Sequence, residues 1–172
     1  IYPAGSFSLT TWIKDEGGST MITQPWSFAS GFQVTISGDF RFWTLYDTNQ
    51  YDYARSLVSP TVNSWQHIAM TYDVTNAPDA SGTYTGTIKA YINGLLVATL
   101  EDAQYDSQTF ADLAIGRRSS AVFKGLIDEF AVWPVVLTQQ QINGLVAKEY
   151  TPLNLPVLSD VKADINQDGI VN

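Results

Sequence analysis

The stretch Thr87-Ile-Lys-Ala-Tyr-Ile-Asn-Gly-Leu-Leu-Val-Ala-Thr-Leu100 decides the fold class of this chain. Asn93-Gly94 separates two runs of mostly apolar and β-branched residues, and Asn-Gly accepts the positive φ angles of a two-residue type I′ turn. Because the twist of that turn matches the twist of antiparallel strands, the stretch predicts a tight β-hairpin.

Strands are predicted on both sides of this hairpin, because apolar and polar residues alternate with period two between Gly and Asp turns. The main runs are Phe7–Lys14, Phe32–Ile36, Phe40–Tyr46, Trp65–Asp73, Leu113–Gly116 and Lys124–Trp133. No helical pattern lies between these runs, which with the hairpin give about ten strands. The sequence therefore predicts an all-β fold, a sandwich of two stacked antiparallel sheets.

One short C-terminal helix follows the last predicted strand. Thr138 is its expected N-cap, and Gln141 occupies the capping-box position. We expect residues 1–150 to form the sandwich and residues 151–160, which contain two prolines, to form an extended linker. Residues 161–172 have a different character and are treated as a separate segment.

Composition excludes several classes of protein. The chain has 172 residues, of which 45% are hydrophobic and 13% aromatic, so it can bury one domain core and is not disordered. Nine dispersed Lys and Arg against 17 acids leave a net charge of −8, which argues against nucleic-acid binding. No apolar run reaches the ~18–20 residues that a membrane-spanning helix needs, so we expect no membrane insertion.

Five segments carry a family resemblance. They are Phe7-Ser-Leu-Thr-Thr-Trp12, Trp65-Gln-His-Ile-Ala-Met-Thr-Tyr-Asp73, Ala90-Tyr-Ile-Asn-Gly94, Ala114-Ile-Gly116, and Phe123-Lys-Gly-Leu-Ile-Asp-Glu-Phe-Ala-Val-Trp133 leading to Leu137-Thr138. In order and spacing, residues 6–147 resemble the LamG-like domains of the concanavalin A-like lectin/glucanase superfamily. The resemblance implies a jelly-roll sandwich that binds ligands on its concave face or on loops at one rim. The bulky motif residues are expected to pack in the core: Trp12, Trp65, Tyr72, Tyr91 and Phe130.

The tail resembles the start of a dockerin-type, EF-hand-like calcium loop. The residues at loop positions one, three, five, seven and nine are Asp164, Asn166, Asp168, Ile170 and Asn172, with Gly169 at the sharp turn. Ca²⁺ needs six to eight oxygen ligands, and the sequence stops before position twelve, where the bidentate carboxylate belongs. We therefore expect weak Ca²⁺ binding by this segment and a longer, secreted parent protein; the alternative is an Asp/Asn-rich turn.

Carbohydrate binding is predicted on and beside the strand Phe40–Tyr46. If Phe40 and Phe42 face the core, then Arg41, Trp43 and Leu45 project outward. Aromatic faces stack on sugar rings, and Arg or Asp side chains hydrogen-bond sugar hydroxyls. The candidate ligand-binding residues are Trp26, Arg41, Trp43, Tyr46, Tyr51 and Tyr53. The alternative is that these rings cover a sandwich edge or contact a neighbouring subunit.

Asp128 is a second candidate metal ligand. The resemblance implies a structural Ca²⁺ in some superfamily members, held by an acid and backbone carbonyls; otherwise Asp128 hydrogen-bonds nearby amides. Catalysis is not expected. The Glu-x-Asp-x-x-Glu strand of the related glucanases is absent, the adjacent acids Asp128 and Glu129 should point to opposite faces of a strand, and His67, in a structural motif, is the only histidine.

These observations favour a non-catalytic, extracellular or cell-surface module that binds a glycan or a surface polysaccharide. The alternative is a structural subunit of a bacterial surface layer or fibre, which would self-associate through sandwich edges and the tail, or contact other domains of its parent protein.

Overall fold

A computed structural model of the chain describes residues 4–25, 31–47, 50–106, 113–118 and 120–155. The strands are β1 (Phe7–Asp15), β2 (Met21–Pro25), β3 (Gly31–Ile36), β4 (Phe40–Asp47), β5 (Gln50–Arg55), β6 (Trp65–Asn76), β7 (Thr83–Ile92), β8 (Leu95–Asp106), β9 (Leu113–Ile115), β10 (Arg117–Arg118), β11 (Ala121–Val122) and β12 (Gly125–Trp133), and the helix is α1 (Gln139–Val146). The described residues contain no helix with the length and hydrophobicity needed to cross a membrane.

Two five-stranded antiparallel sheets form the sandwich. The first sheet has the order β12-β1-β6-β7-β8 and the second has the order β5-β4-β3-β2-β9. The predicted hairpin joins β7 to β8 in the first sheet: Ile92 pairs with Leu95, and Asn93 and Gly94 have φ angles of 51° and 79°. The left-handed values at both turn residues are those of a type I′ turn, so the prediction is confirmed.

The main core lies between the two sheets. Alternate residues of β1 and β4 enter it as predicted, with Phe7, Leu9, Phe40 and Phe42 fully buried. Tyr72 brings a polar group into this core, and its hydroxyl donates to the backbone carbonyl of Ala103 at 3.0 Å. Period-two patterning therefore predicted the inward face correctly.

A second, smaller core lies on the outer face of the first sheet, where α1 packs. Its buried residues are Ala69, Tyr91, Trp133, Leu137, Ile142, Leu145 and Leu155. Thr138 and Gln141 form the predicted capping box. The chain then turns at residues 152–154 and buries Leu155 against the helix. Much of this outer face is thus covered, unlike the outer face of β4 and β5.

The tail lies outside the described residues from position 156 onward, and the calcium-loop prediction falls entirely within it. Whether Asp164, Asn166, Asp168, Ile170 and Asn172 bind Ca²⁺ therefore stays a prediction.

Candidate functional site

Four of the predicted ligand-binding residues form one cluster on the outer face of the second sheet. We call Arg41, Trp43, Tyr51 and Tyr53 the aromatic platform. Trp43 on β4 pairs with Tyr53 on β5, and their rings stack at 4.3 Å between centroids and 30° between planes. Tyr51 meets the Trp43 ring edge-on at 4.7 Å. Tyr51 and Tyr53 remain 49% and 38% exposed, so the cluster faces solvent.

Hydrogen bonding fixes the orientation of Trp43. Its indole Nε1 donates to the hydroxyl of Thr35 on β3 at 2.8 Å. Gln33 lies opposite Trp43 in the β3–β4 register, and its buried Oε1 has no hydrogen-bond partner among the described residues. An unsatisfied buried acceptor carries an energetic cost, so Gln33 is a polar residue that weakens rather than stabilises the packing under Trp43.

A charged group borders the platform. Arg41 and Arg55 are cross-strand neighbours, and both donate to the buried carboxylate of Asp39, from Nε at 3.3 Å and 2.5 Å. Burial raises the pKa of Asp39, but hydrogen bonds and charge from Arg55 and Arg41 outweigh burial and hold that pKa below its ordinary value. The guanidinium of Arg41 also lies 5.8 Å from the ring centre of Tyr53. Two cations share one anion here, so this border is locally positive in an acidic protein.

Tyr46, another predicted ligand-binding residue, does not join the platform. Tyr46 follows a register shift between Leu45 and Asp47, and no ring contact joins it to the platform among the described residues. Its pKa is raised by burial and then by the charges of Asp52 and Asp47. Leu45, which was expected to project outward, is 1% exposed. Trp26 lies outside the described residues.

A second candidate site lies on the first sheet, and of its residues the sequence had singled out only Asp128 as a possible ligand-binding group. We call it the tryptophan pocket: a cavity of about 300 Å³ lined by Trp12, Trp65, Asp128, Glu129 and Lys148. The expectation that both tryptophans pack in the core is wrong for this pair, since Trp65 is 44% exposed and Trp12 lies half-buried at the cavity wall. The side chains of Trp12 and Trp65 lie on the same outer face of the first sheet. Trp12 pairs with His67 on β6, and His67 is two residues after Trp65, so both point to the same side.

A β-bulge in β12 explains why the expectation that Asp128 and Glu129 point to opposite faces of the strand is wrong. Thr10 of β1 pairs with Ala131 of β12, whereas Trp12 pairs with Asp128, so β12 has one extra residue between these two pairs. Within this bulge Glu129 adopts a left-handed φ of 49°. The extra residue breaks the alternation of side chains. Asp128 and Glu129 consequently line the same cavity, which corrects the expectation that they point to opposite faces.

Asp128 also bears on the metal prediction. Its Oδ1 accepts a hydrogen bond from the backbone N–H of Glu129 at 2.8 Å, as the amide-binding alternative expected. Within the described ranges, no group of three or more acidic or histidine side chains is placed to hold a metal ion. Binding of Ca²⁺ at Asp128 stays a prediction without support from this geometry.

His67 lies on β6, within the strand motif that the sequence predicted to be structural. It lies 2% exposed beneath Trp12, with ring centroids 5.3 Å apart at 69°, and its Nδ1 has no hydrogen-bond partner in the described part of the chain. Burial lowers the pKa of His67 to about 4, so the imidazole is neutral at physiological pH. A buried imidazole without such a partner is not arranged as the base of a Ser-His-Asp triad.

Comparison with known proteins agrees with this architecture. A family model described as Laminin_G_3, concanavalin A-like lectin/glucanases superfamily, matches residues 2–143. A search of curated protein sequences found no significant match.

Solved structures share the fold at low sequence identity. Domain 4 of AbnA, a GH43 extracellular arabinanase from Geobacillus stearothermophilus solved with arabinotriose, is 21% identical with a TM-score of 0.68, over 85% of this chain and 68% of that chain. A heptameric SAP-like pentraxin from Limulus polyphemus is 13% identical with a TM-score of 0.58, over 85% and 73%. The binding domain of botulinum neurotoxin DC, in complex with SialylT, is 18% identical with a TM-score of 0.58; the match covers 84% of this chain but only 36% of the toxin chain.

Proposed function

We propose that this chain, which belongs to the concanavalin A-like lectin/glucanase superfamily, is a non-catalytic, lectin-like module. In this proposal it binds carbohydrate on the aromatic platform. The observation that carries the proposal is the stacked Trp43–Tyr53 pair on an open sheet face beside Arg41.

The chemistry of the platform suits a sugar. The C–H faces of a pyranose or furanose ring pack on aromatic rings, and the hydroxyl groups around the ring need hydrogen-bond partners. Arg41 and Arg55 supply charged donors that strengthen such bonds. Alternate strand residues lie about 6.6–6.8 Å apart, so the platform offers neighbouring positions to consecutive sugar units.

Two structural relatives add support. The arabinanase domain was solved with arabinotriose and the toxin binding domain with SialylT, so chains that contain this sandwich fold occur in complexes with such ligands. At these identities the likeness extends to the fold, and the choice of face on this chain rests on its own residues.

A glycan array followed by fluorescence titration tests the proposal. We expect binding to at least one glycan, with quenching of tryptophan emission. Trp43→Leu should weaken this binding by at least tenfold, or about 1.4 kcal/mol, because the stacking surface is removed. The matched control is Trp65→Leu, which removes a partly exposed tryptophan from the first sheet and should leave the affinity for a glycan without a free amine unchanged. The proposal fails if no glycan binds, or if Trp43→Leu binds as tightly as the wild type.

Binding without catalysis is the second part of the proposal. The buried, neutral His67 argues against acyl-transfer chemistry of the triad type, and the glucanase carboxylate motif is absent from the sequence. The expected result is that a glycan bound by the protein remains intact on prolonged incubation, as followed by mass spectrometry; release of shorter oligosaccharides would contradict it.

Self-association remains the alternative function, and the edges of the first sheet favour it. Strands β8 and β12 form the two edges of the first sheet. On β8 the side chains of Leu95 and Leu96 are 72% and 51% exposed, and on β12 the side chain of Leu126 is 51% exposed. Exposed apolar edges are templates for strand pairing between chains. Light scattering after size-exclusion chromatography distinguishes the two functions: a monomer at all concentrations excludes assembly, and an oligomer dispersed by Leu96→Lys and Leu126→Lys supports it.

An extracellular location and Ca²⁺ binding by residues 164–172 complete the proposal. Asp164, Asn166 and Asp168 have the spacing of a calcium loop. Isothermal titration with Ca²⁺ tests the tail: we expect weak binding that Asp164→Ala with Asp168→Ala abolishes, and no heat in the wild type would contradict it.

A further inference from the structure

We propose that the tryptophan pocket is a second binding site, separate from the aromatic platform, and that its ligand is an organic molecule carrying a protonated primary amine. The site lies on the first sheet, whereas the platform lies on the second, so the two sites face different sides of the sandwich.

The lining of the pocket matches the recognition of a cation. Two indole rings, of Trp12 and Trp65, stand beside the carboxylates of Asp128 and Glu129. The face of an indole attracts an ammonium group through its negative quadrupole, most strongly within about 6 Å. A carboxylate beside the ring adds a charge-assisted hydrogen bond. Aromatic faces with adjacent acids therefore hold an ammonium ion by two independent interactions.

The chain itself shows that this position attracts an ammonium group. The Nζ of Lys148 lies 5.5 Å from the centre of the Trp12 ring, within the range of a cation–π contact. No ion pair joins Lys148 to Asp128 or Glu129 among the described residues. The lysine thus occupies the aromatic wall of the pocket and leaves the acidic wall open to another cation.

The net charge of the lining is negative, because two carboxylates face one ammonium group. The protein as a whole carries a net charge of −8, which also favours the approach of a cation. A metal ion fits less well than an amine. Ca²⁺ takes six to eight oxygen ligands, and no third acidic or histidine side chain joins the pair among the described residues.

The size of the pocket limits the ligand. A volume of about 300 Å³ is at the lower end of the range for small-molecule sites. It suits one amino sugar or one lysine side chain. These two sources share the same ammonium chemistry, and binding measurements with one probe for each source separate them.

Protein-observed NMR tests the proposal on the full chain. The sequence contains five tryptophans, so five indole N–H signals can be followed in one spectrum. The probes are glucosamine and Nα-acetyl-lysine amide, with glucose as the neutral control. We expect the Trp12 and Trp65 signals to move with at least one amine and not with glucose, whereas any shift of the Trp43 signal by a sugar reports the platform separately. Shifts with both amines indicate recognition of the ammonium group alone, and shifts with one probe identify the source.

Variants of the pocket give opposite expected effects. Asp128→Asn and Glu129→Gln each remove one negative charge at nearly constant shape, and each should weaken amine binding at least threefold. Lys148→Gln removes the competing cation and should tighten binding at least twofold. Trp43→Leu is the control on the platform and should leave amine binding unchanged.

The proposal is overturned if neither amine moves the Trp12 or Trp65 signal, if glucose moves them equally, or if both acid variants bind as the wild type does. Unchanged far-ultraviolet circular dichroism and melting temperature confirm that each variant is folded. Failure of glycan binding at Trp43 would not affect this result, because a different indole signal reports each site.

Discussion

Acidification from pH 7 to pH 5 should destabilise this protein through His67. Folding buries the imidazole and lowers its pKa from 6.5 to about 4. The unfolded chain therefore binds one more proton than the folded chain between these two pH values, and the free energy of unfolding rises with pH in that window. The stabilisation is fully present above pH 6.5 and is lost as the pH falls through 4.

The magnitude follows from the size of the pKa shift. A shift of one unit corresponds to about 1.4 kcal/mol, so we expect a loss of about 2 kcal/mol between pH 7 and pH 5, and about 3 kcal/mol by pH 4. This is a large part of the ~5–15 kcal/mol by which a typical domain is stable. Asp39 and Asp79 have lowered pKa values, so the stability they contribute is lost only as the pH falls below their unfolded value of 3.8. The two windows do not coincide.

Urea denaturation at closely spaced pH values measures this slope. His67→Phe is the matched variant, because a phenyl ring can keep the edge-on contact with Trp12 and does not titrate. The variant should show a nearly flat stability between pH 7 and pH 5, whatever its absolute stability. As His67 is the only histidine, one NMR titration of its ring signals also gives the folded-state pKa directly.

Two results would refute the reasoning. One is an equal dependence of stability on pH in the wild type and in His67→Phe, which would assign the slope to other groups. The other is a folded-state pKa near 6.5, which would mean that burial does not exclude water from the imidazole.

Three further predictions concern stability and are measured by urea denaturation at pH 7. Thr138→Ala removes the helix cap and should cost about 1 kcal/mol, whereas Thr138→Ser should cost little. Gly86→Ala places a Cβ 2.5 Å from the carbonyl oxygen of Asp73 and 2.8 Å from the Tyr72 ring, so overpacking should cost about 1–3 kcal/mol; an unchanged midpoint would contradict this. Tyr72→Phe removes the hydroxyl that lies 3.0 Å and 3.1 Å from the carbonyl oxygens of Ala103 and Tyr84 and should cost about 1–2 kcal/mol, and a neutral effect would contradict this.

Local features of the sequence predicted most of the fold. The Asn93-Gly94 turn, the capping box at Thr138 and the inward face of Phe40 and Phe42 all depend on neighbours a few residues away, and the structure confirms each of them. Four of the six predicted ligand-binding residues also lie together in the structure, although their binding of a ligand stays a prediction. These four residues lie on two adjacent antiparallel strands, so alternation along one strand was enough to place Trp43 outward.

The sequence by itself thus determined the sandwich, its hairpin, its helix and one candidate binding face, because short-range periodicity and turn chemistry encode them. Only the tertiary structure decided the tryptophan pocket. Its lining residues come from β1, β6, β12 and the chain after α1, and the bulge that turns Glu129 toward Asp128 exists only in the pairing of β1 with β12. A bulge shifts every later residue relative to the partner strand, so side-chain direction there depends on strand register and cannot be read from alternation along the chain.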